Sequence, residues 1–230
     1  MKHLAVIPAR GNSKRIPGKN IRNFHGKPII SWAVEKALNS FYFSTVIVST
    51  DSDEIASIGN KYGAETPFIR PANISDDFSS VFEVIKHAIK FFKKKNQYFD
   101  LVTLIYPTSP LLNMDDVRKG IEAIKRNDFA MSVSQYAYPI QRALKLNGKE
   151  QTISMIDREN FTVRSQDLAP TFHDAGQFVI GRQAAWLEKN PLTGSRTIPI
   201  IIPNSRVQDI DTEDDWVEAE RKFTLNRDMM

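Results

Sequence analysis

Apolar residues along this chain follow two alternating rhythms. Short runs rich in β-branched residues, at His3–Pro8, Thr45–Ser49 and Leu101–Ile105, read as buried strands. Between them apolar positions recur at helical spacing. Ile30, Ala33, Val34, Ala37 and Leu38 predict a helix over Ile29–Asn39, and Val81, Val84, Ile85, Ala88, Ile89 and Phe92 predict another over Ser79–Lys93. Thr50-Asp51-Ser52-Asp53-Glu54 is a capping sequence that opens a helix running through Lys61. Asp115–Arg126 and Thr212–Phe223 predict two more helices; Thr66–Ile69, Ala130–Val133, Gly176–Ile180 and Thr197–Ile202 predict four more strands. Strand and helix in such alternation mean an α/β fold with a mostly parallel sheet, in a single domain spanning 1–230.

The alternation breaks between Gln135 and His173. Proline, glycine and isolated polar residues punctuate this stretch, with weak strand signals near Gln141–Leu146 and Thr152–Met155. It is too polar for core and too long for an ordinary loop, so residues 135–173 read as an inserted arm for subunit contact. Ligands of parallel sheets bind beyond the carboxyl ends of the strands. The loops at 8–28, 49–53, 70–80 and 106–110 are therefore expected to line a site.

Composition narrows the classes. The 230 residues contain no cysteine, which excludes disulfides, thiolate metal sites and cysteine nucleophiles. The apolar run at the amino terminus is too short for a signal-peptide core and no stretch approaches the length of a membrane span, so a soluble, cytoplasmic protein without membrane partners is expected. The net charge of +4 could suggest nucleic acid. Acidic and basic residues are interleaved, however, and the run Lys93-Lys94-Lys95 ends a predicted helix, where cations complement the dipole. No nucleic-acid partner is expected.

A second basic cluster has different surroundings. Ala9-Arg10-Gly11-Asn12-Ser13-Lys14-Arg15-Ile16-Pro17-Gly18-Lys19-Asn20 directly follows the first strand, with four cations, two glycines and several small donors. Cradling a polyphosphate needs this mixture: amides that approach closely at glycine, plus cations against several negative charges. Six residues separate Gly11 from Gly18 and Asn20 stands where Ser or Thr would be, so the P-loop pattern fails. The dinucleotide fingerprint is also absent. Near the carboxyl end, Asp209 and Asp211 stand two apart, which puts both carboxylates on one face of extended backbone. Such a pair suits Mg2+, which draws its other ligands from water and substrate phosphates. Asp214 and Asp215 read instead as first-turn acids of a helix capped by Thr212. Arg70-Pro71 with Asp76, Asp77, Ser79 and Ser80 forms a loop before a helix cap. The polar stretch from Arg164 to Asp167, with His173-Asp174-Ala175-Gly176-Gln177, suits a sugar-binding rim.

These segments resemble the CMP-sialic acid synthetase family of cytidylyltransferases. The resemblance rests on A-R-G-N-S-K-R-I-P-G-K-N, on Arg70-Pro71, on Tyr106-Pro107-Thr108-Ser109-Pro110-Leu111 and on Asp209-Ile210-Asp211, and it spans residues 5 to about 216. Arg142, Arg164-Ser-Gln-Asp-Leu and His173-Asp-Ala-Gly-Gln-Phe178 resemble most the branch that acts on pseudaminic acid. Pro139-Ile140 is followed by Gln141 and Arg142 where the sialic acid branch tends to carry lysine, which counts against N-acetylneuraminate.

The resemblance implies a Rossmann-like domain of the nucleotide-diphospho-sugar transferase type. It also implies a homodimer whose arm reaches over the partner's site. The implied substrates are CTP and an acidic nine-carbon sugar, with Mg2+ as cofactor. Arg10, Gly11, Asn12, Ser13, Lys14 and Lys19 would hold the triphosphate, and Asn20, Arg70, Ser79 and Ser80 the cytosine and ribose. Gln141, Arg142, Arg164, His173, Asp174 and Gln177 would meet the sugar, Arg164 through its carboxylate. The sugar's anomeric hydroxyl would attack the α-phosphorus, with Asp209 and Asp211 holding the metal and Lys19 and Arg10 stabilising the departing pyrophosphate. No residue is nominated as general base. Competing expectations are CMP-N-acetylneuraminate or CMP-legionaminate synthesis, the 3-deoxy-manno-octulosonate branch, and an inactive nucleotide-binding regulatory module.

Overall fold

The computed structural model describes residues 1–13, 15–76, 79–148, 151–188, 194 and 196–226. The chain runs β1 (His3–Pro8), β2 (Asn23–Phe24), β3 (Lys27–Pro28), α1 (Ile29–Asn39), β4 (Thr45–Ser49), α2 (Asp53–Lys61), α3 (Val81–Lys94) and β5 (Leu101–Ile105). It continues through α4 (Met114–Ala123), β6 (Phe129–Gln135), β7 (Leu144–Asn147), β8 (Thr152–Met155), β9 (Phe172–Arg182), α5 (Gln183–Leu187), β10 (Thr197–Ile201) and α6 (Glu213–Asn226).

Six strands form one sheet in the order β10-β6-β9-β5-β1-β4. Five run parallel, and β9 opposes its neighbours β5 and β6. The buried runs of β1, as far as Ile7, and of β5 follow from their central places, covered on both faces. On one face α1, α2 and α4 contribute Ala33, Val34, Ile55 and Val117 to the core; on the other α3 and α5 contribute Ile85, Ala88, Ile89, Phe92 and Trp186. Ser80 caps α3 in a reciprocal arrangement with Glu83, so this helix begins after Ser80 and not at Ser79. At its other end Lys93 and Lys94 occupy the last turn, the helix-dipole role expected of that basic run.

Two expectations need correction. Thr66–Ile69 is not a strand: its neighbourhood makes only single bridges, Ile47 to Glu65 and Thr50 to Ile69, beside the edge strand β4. Phe68 spends its side chain packing on Phe91 and His87, and no ladder forms. The short helix α5 went unread because five residues are too few to show helical periodicity. The segment between β6 and β9 leaves and returns through their paired ends, Gln135 opposite Phe172 and Ser134 opposite His173. It carries its own two-stranded sheet, β7 with β8, apart from the main one.

A third apolar cluster positions the site. Ile16 from the basic loop and Ile210 from between the two aspartates are both buried among Phe24, Ile29, Leu111, Trp216 and Phe223. Burying an isoleucine yields roughly 1.5–3 kcal/mol, so this cluster joins two motifs that lie almost the whole chain apart.

Candidate active site

A cavity of about 420 Å3 opens at the carboxyl ends of β1 and β5, where ligands of open α/β sheets bind. Arg10, Ser13 and Lys19 reach it from the basic loop, Asp209 and Asp211 from the opposite side, and Tyr106 with Thr108 from the turn after β5.

The basic loop is tied at both ends. Ala9 donates its N–H to Ser49 O at 2.9 Å, and the Gly11 N–H goes to Asp51 Oδ1 at 2.9 Å. Gly18 turns the chain at φ +63°, a left-handed conformation that glycine adopts without strain, and directs Lys19 inward. Asn20 is buried and donates Nδ2 to Arg10 O at 3.0 Å. Behind them Arg70 is almost fully buried, with Nε on Ser75 Oγ at 3.0 Å, Nη1 on Ser49 O at 3.4 Å and Asp51 at 3.7 Å. Burial lowers its pKa, and only Asp51 opposes that.

The loop and the aspartate pair meet directly. Lys19 Nζ donates to Ile210 O and stands 3.6 Å from Asp211 Oδ1, while Arg15 pairs with Asp211 Oδ2. With Ile210 buried, Asp209 and Asp211 both face the cavity. Thr212 and Asp215 fix the far side: Asp215 accepts from the Thr212 hydroxyl at 2.7 Å, and also from Thr212 N at 2.8 Å and Asp211 N at 3.1 Å, which holds its carboxyl below the usual range. Asp215 is thus engaged in capping. Among the described residues no group of three His, Cys, Asp or Glu could enclose a metal. An oxygen pair leaving its other positions to water and phosphate fits a magnesium ion better than a transition metal.

Lys36 supports the floor from below, donating to Pro110 O at 2.8 Å and Leu112 O at 2.6 Å. Burial, then Lys27 and Arg206, push its pKa down to about 8. Tyr106 lines the cavity with its pKa raised by burial and then by Asp174 and Asp209. Asp174 is raised in turn by burial and by Asp209, against the 2.8 Å bond from Gly176 N.

Of the residues nominated for the nucleotide, Arg10, Ser13, Lys19, Asn20, Arg70 and Ser79 line the cavity. Gly11 backs a small void beneath the loop and Asn12 is exposed. Ser80 is spent on its helix cap, and Lys14 and Asp77 lie outside the described residues. Arg15 was not nominated and pairs with Asp211; its place in the basic run was the available signal.

None of the six sugar candidates lines this cavity. Gln141 donates to Ala169 O at 2.9 Å, Arg142 to Ser165 Oγ at 3.2 Å, and Arg164 pairs with Asp167 at 2.7 Å, all within the arm. His173 stacks near Tyr136 at 4.9 Å, with Nδ1 2.8 Å from Asp174 O. Gln177 is buried and points elsewhere.

The solved structure of a CMP:2-keto-3-deoxy-manno-octonic acid synthetase complexed with CTP superposes with a TM-score of 0.72, at 16% identity over 98% of this chain and 100% of that one. The fold is therefore that of the nucleotide-sugar transferase-like α/β proteins. The family model for cytidylyltransferases matches residues 4–193. This chain belongs to the cytidylyltransferase family and is a CTP-dependent nucleotidyltransferase. It is 42% identical over 230 residues to the pseudaminic acid cytidylyltransferase of Campylobacter jejuni subsp. jejuni serotype O:2, covering 99% of each chain. It is 32% identical over 241 residues to the CMP-N,N'-diacetyllegionaminic acid synthase of Legionella pneumophila subsp. pneumophila, covering all of both.

Proposed function

We propose that this enzyme transfers CMP from CTP to the anomeric hydroxyl of pseudaminic acid and releases pyrophosphate. The observation that carries the reading is the closure of the basic loop and the aspartate pair on one cavity, through Lys19 on Ile210 O and Arg15 on Asp211. The full-length similarity to a pseudaminic acid cytidylyltransferase supports the choice of sugar.

The hydroxyl oxygen forms a bond to the α-phosphorus as the bond from that phosphorus to the bridging oxygen breaks. The hydroxyl proton passes to solvent and the electron pair leaves on pyrophosphate. Arg10, Arg15 and Lys19 neutralise the triphosphate and the charge that builds on the leaving group. Ser13 adds a small donor beside them, and Asn20 and Arg70 shape the end that takes cytosine and ribose. Asp209 and Asp211 would hold Mg2+, which when bound would supply a Lewis acid for the phosphate and acidify the attacking hydroxyl. CTP binding frees Asp211 for that role by drawing Arg15 and Lys19 onto the phosphates.

The arm completes the sugar end in a homodimer, where Arg142 and Arg164 of one protomer reach the other's cavity. Its outward-facing Leu144, Leu146, Ile153, Ile156 and Phe161 fit such an interface. The reaction belongs to the cytoplasm, where CTP is available, and no described helix is long and apolar enough to cross a membrane.

A panel of pseudaminic, legionaminic and N-acetylneuraminic acids with CTP, read by pyrophosphate release, tests the reading. Turnover should be fastest with pseudaminic acid and absent without Mg2+. Release with none of the three overturns the proposal.

A further inference from the structure

The stretch that delivers the two aspartates has no sheet of its own. From Val207 to Asp211 the backbone belongs to no ladder, although Val207 and Ile210 are buried. Its approach is secured by three side chains that each take one main-chain carbonyl in succession. Asn226 Nδ2 donates to Ser205 O at 3.1 Å, Gln177 Nε2 to Arg206 O at 2.5 Å, and Lys222 Nζ to Val207 O at 2.7 Å. Asn226 and Lys222 come from α6, which follows the aspartates. Gln177 comes from β9, in the middle of the sheet.

Gln177 is placed by an irregularity of that strand. The β6–β9 register shifts between Met131 and Val133, so that residues 175–178 of β9 bulge opposite the buried Ser132. The Ser132 hydroxyl fills the bulge, accepting from Gln177 N at 3.3 Å and Phe178 N at 3.1 Å while donating to Phe178 O at 3.1 Å. Gly176 makes the turn at φ +63°. Such bulges re-aim a side chain beside active sites. Here the main-chain O of Gln177 accepts from Tyr106 N at 3.0 Å, while the side chain, 3% exposed, crosses to Arg206. One residue therefore links the cavity floor after β5, the bulge of β9 and the strand-less approach to the metal carboxylates.

We propose that Gln177 is a positioning residue for the Asp209–Asp211 pair, acting through its amide donor on Arg206 O and touching no substrate. The inference rests on the cytidylyl-transfer reading for the identity of the metal and nucleotide.

Two variants separate positioning from sugar contact. Gln177→Glu keeps an acceptor oxygen in the same shape and loses the donor; Gln177→Met loses both. Mn2+ binding to the CTP complex, followed by water proton relaxation, should weaken about 10–100-fold in both, the scale for groups that orient metal ligands. Hydrogen exchange of the 207–211 amides should quicken while that of β1 stays unchanged. The KM for the sugar should remain within about twofold as kcat falls, because ground-state sugar binding is untouched. Unchanged Mn2+ affinity and exchange, with a sugar KM raised tenfold or with Glu retaining activity that Met loses, would make Gln177 a substrate contact and overturn the proposal. If neither variant folds, Lys222→Met, which frees the adjacent carbonyl from the more open side, carries the same test: weakened Mn2+ binding supports the carbonyl-capture role and unaltered binding refutes it. A wild-type protein that binds no Mn2+·CTP would instead sink the functional reading, and the exchange experiment would still decide the positioning role.

Discussion

The nucleotide end of the molecule and its arm are built on opposite plans. At the nucleotide end the basic loop and its supports are held by neighbours from other parts of the chain: Gly11 by Asp51, Lys19 by Ile210, Arg15 by Asp211 and Arg70 by Ser49. In the arm the polar side chains bond within the arm itself, Arg164 to Asp167, Ser154 to Asn147, Arg142 to Ser165 and Gln141 to Ala169, while large apolar residues face outward. The first region draws its lining from both ends of the chain. The second keeps its polar groups occupied within itself and its apolar surface open, the pattern on which the proposed dimer contact rests.

The sharpest test of that division is Asp211→Ala. On the proposed metal role of Asp211, its removal should lower kcat about 100-fold or more while the protein stays folded, because Ile210, and not Asp211, supplies the packing. Turnover near the wild-type value with unchanged Mg2+ dependence would remove Asp211 from the metal site and dissolve the contrast.

Arg164→Ala probes the other region. On the proposed sugar-carboxylate role of Arg164, its loss should raise the sugar KM roughly 10–100-fold and leave the CTP KM unaltered. An equal rise in both would mean that the arm serves the nucleotide. The two variants also test each other. If the arm of one protomer serves its partner's cavity, mixing inactive Asp211→Ala with weakened Arg164→Ala should restore about a quarter of wild-type turnover, since half of the randomly formed dimers are mixed and each holds one intact site. Activity that never exceeds the sum of the separate variants confines the arm to its own chain.

The same division explains what the sequence made readable. The strands β1, β4 and β5 announced themselves as continuous apolar runs because both faces are buried. The basic loop and the aspartate pair were visible because phosphate and metal chemistry demand particular side chains at short spacing. Ile16 and Ile210, which bring the two together, looked like ordinary apolar residues, and only the fold shows that they share a cluster. Thr66–Ile69 failed for the converse reason: β-branched and aromatic residues supply strand propensity, but a strand needs a partner, and here the chain makes isolated bridges. The Gln177 side chain was assigned to the sugar from its place in the run His173–Phe178. Its direction depends on a bulge opened by Ser132, a long-range feature that no local pattern encodes.

The smallest expected effect concerns acid stability and again separates the regions. His3 lies fully buried at the start of β1, the strand whose far end carries the basic loop, with Nε2 2.6 Å from Thr103 Oγ1. Burial pushes its pKa down from 6.5 to about 4. The folded state thus refuses a proton that the unfolded chain accepts below pH 6.5, so the neutral ring's contribution is whole above that pH and is lost as pH falls toward 4. Moving from pH 7 to pH 6 should cost roughly 0.7 kcal/mol through this one group, and further acidification about 1 kcal/mol per unit until the folded pKa is reached. Denaturant midpoints across this range, compared with His3→Leu, measure the slope, and the variant should flatten it. Near-ultraviolet signals should report the loss, because the tryptophans sit at 32, 186 and 216, around the sheet, and none lies in the arm. An identical slope in the variant would assign acid sensitivity to other groups, and an acid transition confined to the arm would reverse the ranking of the two regions.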